Sequence, residues 1–466
     1  MKREMIKKVF AIVMVCVFVL TFAACGSKPE ETTQATAAAS TTAAATTEPA
    51  PKDLGGYEFS LMSDWAQTWI GSDDDGVSEY NEKFLAQVAE VEKTYNCKIN
   101  LVKTGDWTAS IEKATTAINA GQKYCDFLDS TALVYFPLKK NGLLENMAAI
   151  GTFEPNNPVW NTVPTKLATE GDKIYGVFNE NTDKSGLFVN TSMLKRLNLE
   201  PIYDLMARNE WTWDKFKEYC AAATKDTNND GKNDSYGIIP MDESLAIAVV
   251  NSNGAMPVIK KDDGKFVFNG QDPKCIAGVQ LYFDLYNTLK VVAPKPEGDW
   301  DAPIYAWRDT PILFLPYNDW IVTGYINEMK DDYGLVPFPK GPDTDTYHSF
   351  ISGFRVFSMP LNKNQEEKEK AMFILNQIFK EIPGYEYQSR VAAMEKENFR
   401  DSESFKNYLM LNDVTDLNYV YIADLIFGEG SWMGALDPVA GGAQTPAAAM
   451  EAIKDTMQSK IDEKLN

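Results

Sequence analysis

Four short segments of this sequence place a tryptophan next to acidic, amide or hydroxyl side chains. An indole ring offers a flat apolar face, and its polar neighbours donate and accept hydrogen bonds. Together they suit a solute that has both C–H faces and hydroxyl groups. The alternative for each tryptophan is packing in a core or an interface. The candidate ligand-binding residues in these segments are Asp64, Trp65, Trp69, Trp107, Asn318, Asp319, Trp320, Glu429 and Trp432.

Arg355 is a further candidate for ligand binding because it opens an apolar, strand-like run after Gly353 and Phe354. Its guanidinium carries several N–H donors in a planar fork, which can bind hydroxyl groups or a carboxylate. The alternative is an ion pair with a nearby acidic side chain of the same chain.

Residues 226–237 form a loop whose oxygen-bearing side chains are spaced as in a calcium-binding EF-hand. Gly231 stands where the EF-hand turns sharply, and hard oxygen ligands at this spacing suit Ca²⁺. Gly237 replaces the bidentate glutamate that ends an EF-hand loop, so one ligand would come from elsewhere. The alternative is a turn rich in Asn, Asp and Gly that holds no metal. The sequence predicts a structural Ca²⁺ site formed by Asp226, Asn228, Asp230, the carbonyl of Lys232, and Asp234.

The charge balance and the scarcity of histidine argue against several classes of protein. The chain has 66 acidic and 45 basic residues and a net charge of −21. Nucleic-acid binding instead depends on clustered Lys and Arg, so no nucleic-acid partner is expected. His348 is the only histidine and no Cys-x-x-Cys pair is present, so a zinc or iron–sulfur site is not expected. The redox state of Cys97, Cys125, Cys220 and Cys275 stays open.

Residues 1–24 have the composition of an export signal peptide. Basic residues precede an apolar run at 9–22, and the small pair Ala23-Ala24 follows it. The run is shorter than the roughly 20 residues that a membrane-spanning helix needs. Cys25 directly after the pair resembles a bacterial lipobox, which implies cleavage before Cys25 and a diacylglycerol group on its sulfur. An ordinary cleaved signal is the alternative, because Phe22 stands where lipoboxes carry an aliphatic residue.

The segment after Cys25 is dominated by Thr and Ala. Residues 26–52 contain no aromatic residue and no Val, Ile or Leu. Such a segment buries too little apolar surface to offset its loss of conformational entropy. We expect residues 25–53 to be a lipid anchor and a disordered linker, which hold a folded body at the outer face of the cell membrane.

The body from residue 54 onward alternates strand and helix patterns. Short apolar or alternating runs predict strands at 57–62, 98–103, 125–128, 173–178, 186–190, 311–316 and 333–338. Apolar residues at helical spacing predict helices at 77–95, 110–120, 214–224, 274–289, 366–381 and 445–465. This order predicts an α/β fold with a mostly parallel sheet. A body of about 410 residues is too large for one core, so we expect two lobes.

Several segments of the body follow one another in a recognisable order. They are KIYGV at 173–177, LFVN at 187–190, WTWDKF at 211–216, the loop at 226–237, FLPYNDW at 314–320, GLVPFPKGP at 334–342 and GFRVF at 353–357. In this order they resemble the extracellular solute-binding proteins of ABC importers, in the large sugar-binding group that includes maltose-binding proteins. The resemblance covers residues 57–465.

The resemblance implies an α/β, two-lobe, periplasmic-binding-protein-like fold of type II. Each lobe would be a mixed sheet flanked by helices, with several chain crossings at the hinge. The first lobe would comprise residues 54–177 and 338–395, and the second residues 178–337 and 396–466. A sugar or oligosaccharide would lie in the cleft, the lobes would close over it, and the closed form would dock on the permease subunits. We expect a monomer that captures its ligand without catalysis.

Three other functions stay open at this point. A glycan-processing enzyme on the cell surface would need paired carboxylates, and no motif identifies such a pair. An adhesin or a chemoreceptor partner would serve no importer. A solute-binding protein could also take a ligand other than sugar, although an anionic ligand would favour clustered Arg and Lys, which the candidate loops lack.

Overall fold

The computed structural model describes residues 52–71, 76–104, 107–160, 162–179, 183–361, 364–422 and 425–466. Cys25 and nearly all of the predicted linker lie outside these ranges, so the lipid anchor stays a prediction. Within the described ranges, no helix combines the length and apolar character needed to cross a membrane.

Four strands form the first sheet. In spatial order they are β13 (Arg355–Ser358), β3 (Phe127–Thr131), β1 (Tyr57–Ser63) and β2 (Cys97–Lys103). β1 runs parallel to β2 and to β3, whereas β13 is antiparallel to β3. The carboxyl ends of β1, β2 and β3 therefore lie at one edge of the sheet, and β13 begins at that edge with Arg355.

Helices cover both faces of the first sheet and complete the first lobe. On one face, Phe84 of α2 (Glu79–Tyr95) and Leu375 of α12 (Gln365–Ile378) pack with Phe59. On the other face, Val134 of α4 (Ala132–Lys140) packs with Leu128 and Val356. Ser78 caps α2, because its hydroxyl accepts the Asn81 N–H at 3.2 Å. The helices of this lobe are α1 (Gln67–Ile70), α2 (Glu79–Tyr95), α3 (Trp107–Asn119), α4 (Ala132–Lys140), α5 (Thr162–Leu167) and α12 (Gln365–Ile378).

The second sheet is built around one long strand, β6 (Asp183–Asn190). Three strands pair with β6 in the antiparallel direction, so this sheet is mixed rather than mostly parallel. They are β10 (Ile312–Asn318), β11 (Tyr333–Val336) and β12 (Ser349–Gly353). β7 (Tyr236–Ile238) adds in parallel to β10, and β14 (Thr415–Leu417) adds in parallel to β12.

Helices also pack on both faces of the second sheet. One face carries the larger core, in which α8, α9, α10, α16 and α17 pack on Leu187, Val189 and Phe314. The other face carries α11 and α14, which pack around Phe188 and Leu315. The helices of this lobe are α6 (Thr191–Arg196), α7 (Ile202–Ala207), α8 (Trp213–Ala223), α9 (Asp242–Asn251), α10 (Pro273–Phe283), α11 (Ala302–Asp309), α13 (Tyr387–Asn398), α14 (Ser402–Met410), α15 (Tyr419–Ile422), α16 (Trp432–Ala440) and α17 (Pro446–Lys464).

Two short hairpins and three irregular helical turns complete the described elements. The hairpins are β4 (Thr169–Glu170) with β5 (Lys173–Ile174), and β8 (Val258–Lys260) with β9 (Phe266–Phe268). The turns are the 3₁₀ segments Met147–Ala149 and Asp319–Thr323 and the π-helical segment Asp284–Thr288. The predicted strand at 173–178 is therefore shorter than expected, and Val177 forms only an isolated bridge with Phe357.

The chain passes from the first sheet, which Val177 bridges, to the second sheet, where β6 starts at Asp183, and it passes back between Gly353 and Arg355. Val177 bridges Phe357 of the first sheet, and β6 starts at Asp183 in the second. β12 belongs to the second sheet because Ile351 pairs with Lys184 of β6. The pairing thus places the second crossing after Gly353, whereas the sequence predicts a transfer at residue 338. Phe338 itself packs in the core of the second lobe.

A third crossing follows α12. Ile382 packs in the core of the first lobe, and Phe399, just after α13, packs in the core of the second. The two sheets lie in one compact unit, residues 51–466. The crossings bring the carboxyl edge of the first sheet next to the start of β6.

Candidate functional site

Ser63, Asp129 and Arg355 form a hydrogen-bonded group at the carboxyl edge of the first sheet. The Ser63 hydroxyl donates to Asp129 Oδ2 at 2.6 Å. The Arg355 guanidinium donates to the same carboxylate through Nη2 at 2.5 Å and Nε at 3.3 Å. The Asp129 side chain is fully buried, while the Arg355 side chain is 20% exposed. Arg355 therefore presents a partly exposed positive charge at this edge of the sheet.

Trp65 lies directly on this group. The Arg355 guanidinium carbon is 4.8 Å from the centre of the Trp65 ring, and 5.0 Å from that of Phe178. The Trp65 backbone N–H donates to Ser63 Oγ at 2.9 Å, and Asp64 accepts from Thr104. Trp65 is half-buried. The ring is thus fixed against a cation and remains partly accessible, as a stacking surface for a ligand requires.

Asn318 ends β10 at the corresponding position of the second sheet. It pairs with Ser185, two residues from the start of β6, so it lies beside the crossing segments. Its side-chain Oδ1 is buried and has no hydrogen-bond partner among the described residues. A buried acceptor that lacks a partner costs about 1–3 kcal/mol, so this atom is placed to receive a donor from a ligand or a water molecule.

Trp320 follows Asn318 in the 3₁₀ segment and belongs to a group of aromatic rings. Tyr317 contacts it edge-on at 5.7 Å between ring centres, and Tyr325 at 5.0 Å. Trp300 stacks on it at 6.0 Å with an angle of 10° between the rings. Sequence reasoning missed Trp300, although its neighbours Asp299 and Asp301 give it the same aromatic and acidic composition as the predicted segments.

Strand pairing brings the Arg355 group and the Asn318 segment to the same crossing. Asn318 faces Ser185, and Asp183, two residues earlier on β6, faces Gly353. Arg355 follows Gly353 by two residues and faces Thr131 at the end of β3. Asp64, Trp65 and Arg355 thus lie at the edge of the first sheet, and Asn318, Asp319 and Trp320 at the end of β10. Strand pairing places both groups beside this crossing.

Further buried polar atoms near this crossing have no hydrogen-bond partner among the described residues. They are Thr131 Oγ1 at the end of β3, Asn179 Oδ1 in the first crossing segment, and Asn418 Nδ2 just after β14. Leu417 of β14 pairs with Ile351 of β12, which places Asn418 next to the second crossing. Because buried polar atoms are normally paired, their concentration here indicates a site that hydrogen-bonds to a bound molecule or to water.

Two of the predicted tryptophans are core residues in this structure. Trp69 is fully buried and packs against Phe357 and Phe379 at 5.5 Å from each ring centre. Trp432 is also fully buried, and its indole N–H donates to the Ala246 carbonyl at 3.1 Å. Neither ring presents a face to a ligand, so we do not retain them in the candidate site.

The remaining predicted ligand residues lie apart from the crossing or outside the description. Glu429 is exposed in the loop before α16, and its carbonyl accepts from Lys460. Trp107 begins α3, but its side chain lies outside the described part, as do Gly105 and Asp106. Trp107 therefore stays a prediction.

The loop at 226–237 closes on its own hydrogen bonds. The Asp226 carboxylate accepts the N–H groups of Asn229 at 2.7 Å and Gly231 at 2.9 Å. The Asp234 carboxylate accepts the N–H groups of Thr227 and Asn228. In the described ranges no three His, Cys, Asp or Glu side chains come together in a way that could hold a metal.

The acidic side chains of this loop therefore do not form a Ca²⁺ donor set by themselves. Asn228 Oδ1 accepts the Asp230 N–H at 2.8 Å, and Asp230 Oδ1 accepts the Lys232 N–H at 2.8 Å. This arrangement is that of consecutive Asx turns, which stabilise a loop without metal. Calcium binding here stays a prediction from sequence.

The four cysteines of the body are free thiols. Burial raises the pKa of Cys97 to about 11 and that of Cys125 and Cys220 well above the usual value. Thiolate is the reactive form, so these residues are unreactive at neutral pH.

His348 contacts Asp416 at 3.2 Å, and its other ring nitrogen contacts Thr344.

The comparisons with known proteins agree with this architecture. The family model described as bacterial extracellular solute-binding protein matches residues 86–380, which is more than half of the chain. A search among curated proteins gave no match.

Solved structures with the same fold cover most of this chain. The cyclo/maltodextrin-binding protein complexed with maltotetraose has a TM-score of 0.62 and 15% identity, over 88% of this chain and 98% of that one. The GacH receptor of Streptomyces glaucescens, solved unliganded and with acarbose, has a TM-score of 0.58 and 14% identity. The match covers 88% of this chain and 99% of that one. UgpB from Mycobacterium tuberculosis, in complex with glycerophosphocholine, has a TM-score of 0.59 and 12% identity. The match covers 88% of this chain and 100% of that one. At these identities the likeness shows the fold.

Proposed function

We propose, because the chain belongs to the bacterial extracellular solute-binding family, that it captures a carbohydrate between its lobes and delivers it to the permease of an ABC importer. Members of this family are exported and bind solutes without converting them. The candidate site is the crossing region defined by Trp65, Arg355, Asn318 and Trp320.

The observation that supports a carbohydrate most directly is the combination of ring faces and polar atoms at this crossing. Trp65 and Trp320 are both half-buried, so each keeps part of its ring accessible. Arg355 supplies donors, and Asn318 Oδ1 is a buried acceptor without a partner in the described chain. Sugars present C–H faces to aromatic rings and hydroxyls to such groups, and two of the solved structures above hold oligosaccharides or their analogues.

Closure of the lobes follows from where these residues lie. Trp65 is on the first lobe and Trp320 on the second, and both lie next to the segments that cross between the sheets. A rotation of one lobe relative to the other at these crossings would bring the two rings together around a ligand. We therefore propose hinge closure as the step that separates the loaded form from the free form.

The same proposal includes the anchor. Cys25 would carry a diacylglycerol group, and residues 25–53 would link it to the body as a monomer near its permease. Because this segment contains no Val, Ile, Leu or aromatic residue between 26 and 52, it suits a flexible tether. Mass spectrometry of the membrane fraction tests this, since a Cys25→Ala variant should lose the lipid and be released into the medium.

A thermal-shift screen tests the proposed ligand class. The panel contains mono- and oligosaccharides, with glycerophosphocholine, amino acids and peptides as comparators. A ligand that binds only the folded state raises the free energy of unfolding by RT ln(1 + [L]/Kd), about 2.7 kcal/mol at a hundredfold excess over Kd, and therefore raises the melting temperature. We expect shifts with saccharides and none with the comparators. A shift with glycerophosphocholine alone would overturn the carbohydrate assignment.

A further inference from the structure

We propose that the ends of α4 and α17 form a latch between the two lobes, which resists the closing rotation and so sets how tightly the ligand is held. This inference rests on the lobe rotation that the proposed function includes, but it involves none of the candidate ligand residues. We call these contacts the inter-lobe latch. Its members are Phe136, Lys140 and Glu170 on the first lobe, and Lys260, Tyr419 and residues 462–465 on the second.

Two polar contacts, which we call ties, join the lobes in the latch. The Lys140 ammonium donates to the carbonyl oxygen of Asp462 at 2.8 Å and to that of Glu463. These carbonyls lie in the last turn of α17, where carbonyl groups lack partners within the helix and the helix dipole favours a cation. Lys260 of β8 lies 3.7 Å from the Glu170 carboxylate and forms the second tie. Both ties are exposed to solvent, so each is weak enough for a lobe rotation to break.

Tyr419 and Leu465 give the latch an apolar part. Each of these side chains packs both on the larger core of the second lobe and on the first-lobe core beneath α4. Tyr419 contacts Phe136 of α4 edge-on at 6.5 Å between ring centres, and Phe266 of β9 at 4.7 Å. Tyr419 comes directly after Asn418, beside the second crossing. Its contacts therefore lie close to the axis about which the lobes would rotate.

The Lys140 tie lies away from the candidate site. α4 begins directly after Thr131, at the carboxyl edge of the first sheet, and Lys140 ends this helix about 13 Å further along its axis. Leu144 then bridges Pro360, which follows β13 beyond the end of that strand opposite Arg355. α4 therefore runs from the edge that carries the candidate site towards the opposite edge of the sheet, and Lys140 lies towards that opposite edge.

Closure of the lobes would have to break the Lys140 tie. A rotation that brings Trp65 and Trp320 together narrows the gap on the site side of the crossings and widens it on the other side, where Lys140 lies. A cavity of about 370 Å³ separates α4 from the β8–β9 hairpin, with Lys265 and Phe266 on its hairpin side. Discrete ties rather than a continuous core thus join the lobes there. Ligand binding must offset their loss, which lowers the observed affinity.

X-ray scattering and calorimetry on matched variants of the full chain test the latch. Lys140→Met keeps an apolar stem and removes the donors, and Glu170→Gln removes the charge that attracts Lys260. Lys215→Met is the control, because Lys215 is 40% exposed and pairs at 2.8 Å with Glu218 on the same helix of the second lobe. We expect both latch variants to have a smaller radius of gyration without ligand than the control. They should also bind the saccharide that the thermal-shift screen identifies about twofold to tenfold more tightly.

The ligand-free scattering keeps this inference separate from the proposed function. If Lys140→Met matches the Lys215→Met control in either measurement, the latch is refuted and the saccharide site stands. Weaker saccharide binding by Lys140→Met would also refute it, because the contact would then stabilise the closed form. If no saccharide binds the unmodified chain, the proposed function fails, and the scattering of the ligand-free variants alone decides whether the latch exists.

Discussion

Lys184 Nζ lies 2.8 Å from Asp319 Oδ2, and the two side chains are 1% and 5% exposed. The Lys184 backbone N–H donates to the other oxygen of the same carboxylate at 3.0 Å. Burial alone would lower the pKa of Lys184, but the Asp319 carboxylate and Tyr408 raise it above the usual value. The pair ties the strand that enters the second lobe to the segment that carries Trp320. Asp319 is therefore held in place directly before Trp320 in the chain.

Replacing Lys184 by Met should destabilise the protein strongly, because it leaves the Asp319 carboxylate buried without its partner. The expected loss in the free energy of unfolding is about 3–5 kcal/mol, measured by urea denaturation. The double variant Lys184→Met/Asp319→Leu should recover most of it, since neither charge then remains buried. The control is Arg208→Met, whose partner Glu200 is exposed and whose loss should lower the free energy of unfolding far less. A Lys184→Met loss as small as that of the control would contradict this account of the pair.

Trp432→Ala should reduce stability and leave saccharide affinity unchanged. The ring is fully buried, and its removal leaves a cavity in the core of the second lobe at an expected cost of about 3–5 kcal/mol. Trp320→Ala should weaken saccharide affinity at least tenfold, which is about 1.4 kcal/mol of binding free energy. It should lower the free energy of unfolding only slightly. Calorimetry and urea denaturation on both variants measure the two effects. A Trp432→Ala protein that is stable but binds saccharide weakly would return Trp432 to the site.

Arg355→Lys should weaken saccharide binding by about tenfold, because lysine lacks the planar fork that bonds Asp129 and supports Trp65. The same substitution made in a Trp65→Ala background should have a much smaller effect on affinity, since the supported ring is already absent. A double-mutant cycle by calorimetry measures this coupling. Additive losses would show that Arg355 acts on the ligand independently of Trp65.

The calcium prediction also has a direct test. Because the spacing of the loop predicts a structural Ca²⁺, we expect EDTA to lower the melting temperature and added Ca²⁺ to restore it. A melting temperature that EDTA leaves unchanged would contradict the prediction. A decrease that Ca²⁺ reverses, and that is absent in Asp226→Asn, would establish the metal site that the spacing of the loop suggests. Lys232→Ala is the matched control, since only its backbone carbonyl would contribute a ligand.

The sequence was sufficient for elements whose signal is local. The predicted strands at 57–62 and 98–103 lie within β1 and β2, and the predicted strand at 311–316 overlaps β10. Each is an apolar run bounded by turn residues. The polar ends of β1 and β10 could also be identified, since ligand-binding groups follow strands in α/β sheets.

Features that depend on long-range pairing could not be read from the sequence. The sheet to which 349–353 belongs is set by its pairing with β6, which lies far away along the chain. Trp432 is buried in the core of the second lobe, where its indole N–H donates to the carbonyl of Ala246, 186 residues away along the chain. Trp300 joins the rings around Trp320 only because it stacks on Trp320, which is twenty residues away along the chain.

Carbohydrate capture between the two lobes is tested most directly by isothermal titration. The full chain, Trp65→Ala and Trp320→Ala are titrated with the saccharide that raises the melting temperature most. Trp65 and Trp320 lie on different lobes, so a ligand between the lobes must contact both. We predict measurable saccharide binding that falls at least about tenfold in each variant. Saccharide binding that is unaffected by both substitutions would contradict it.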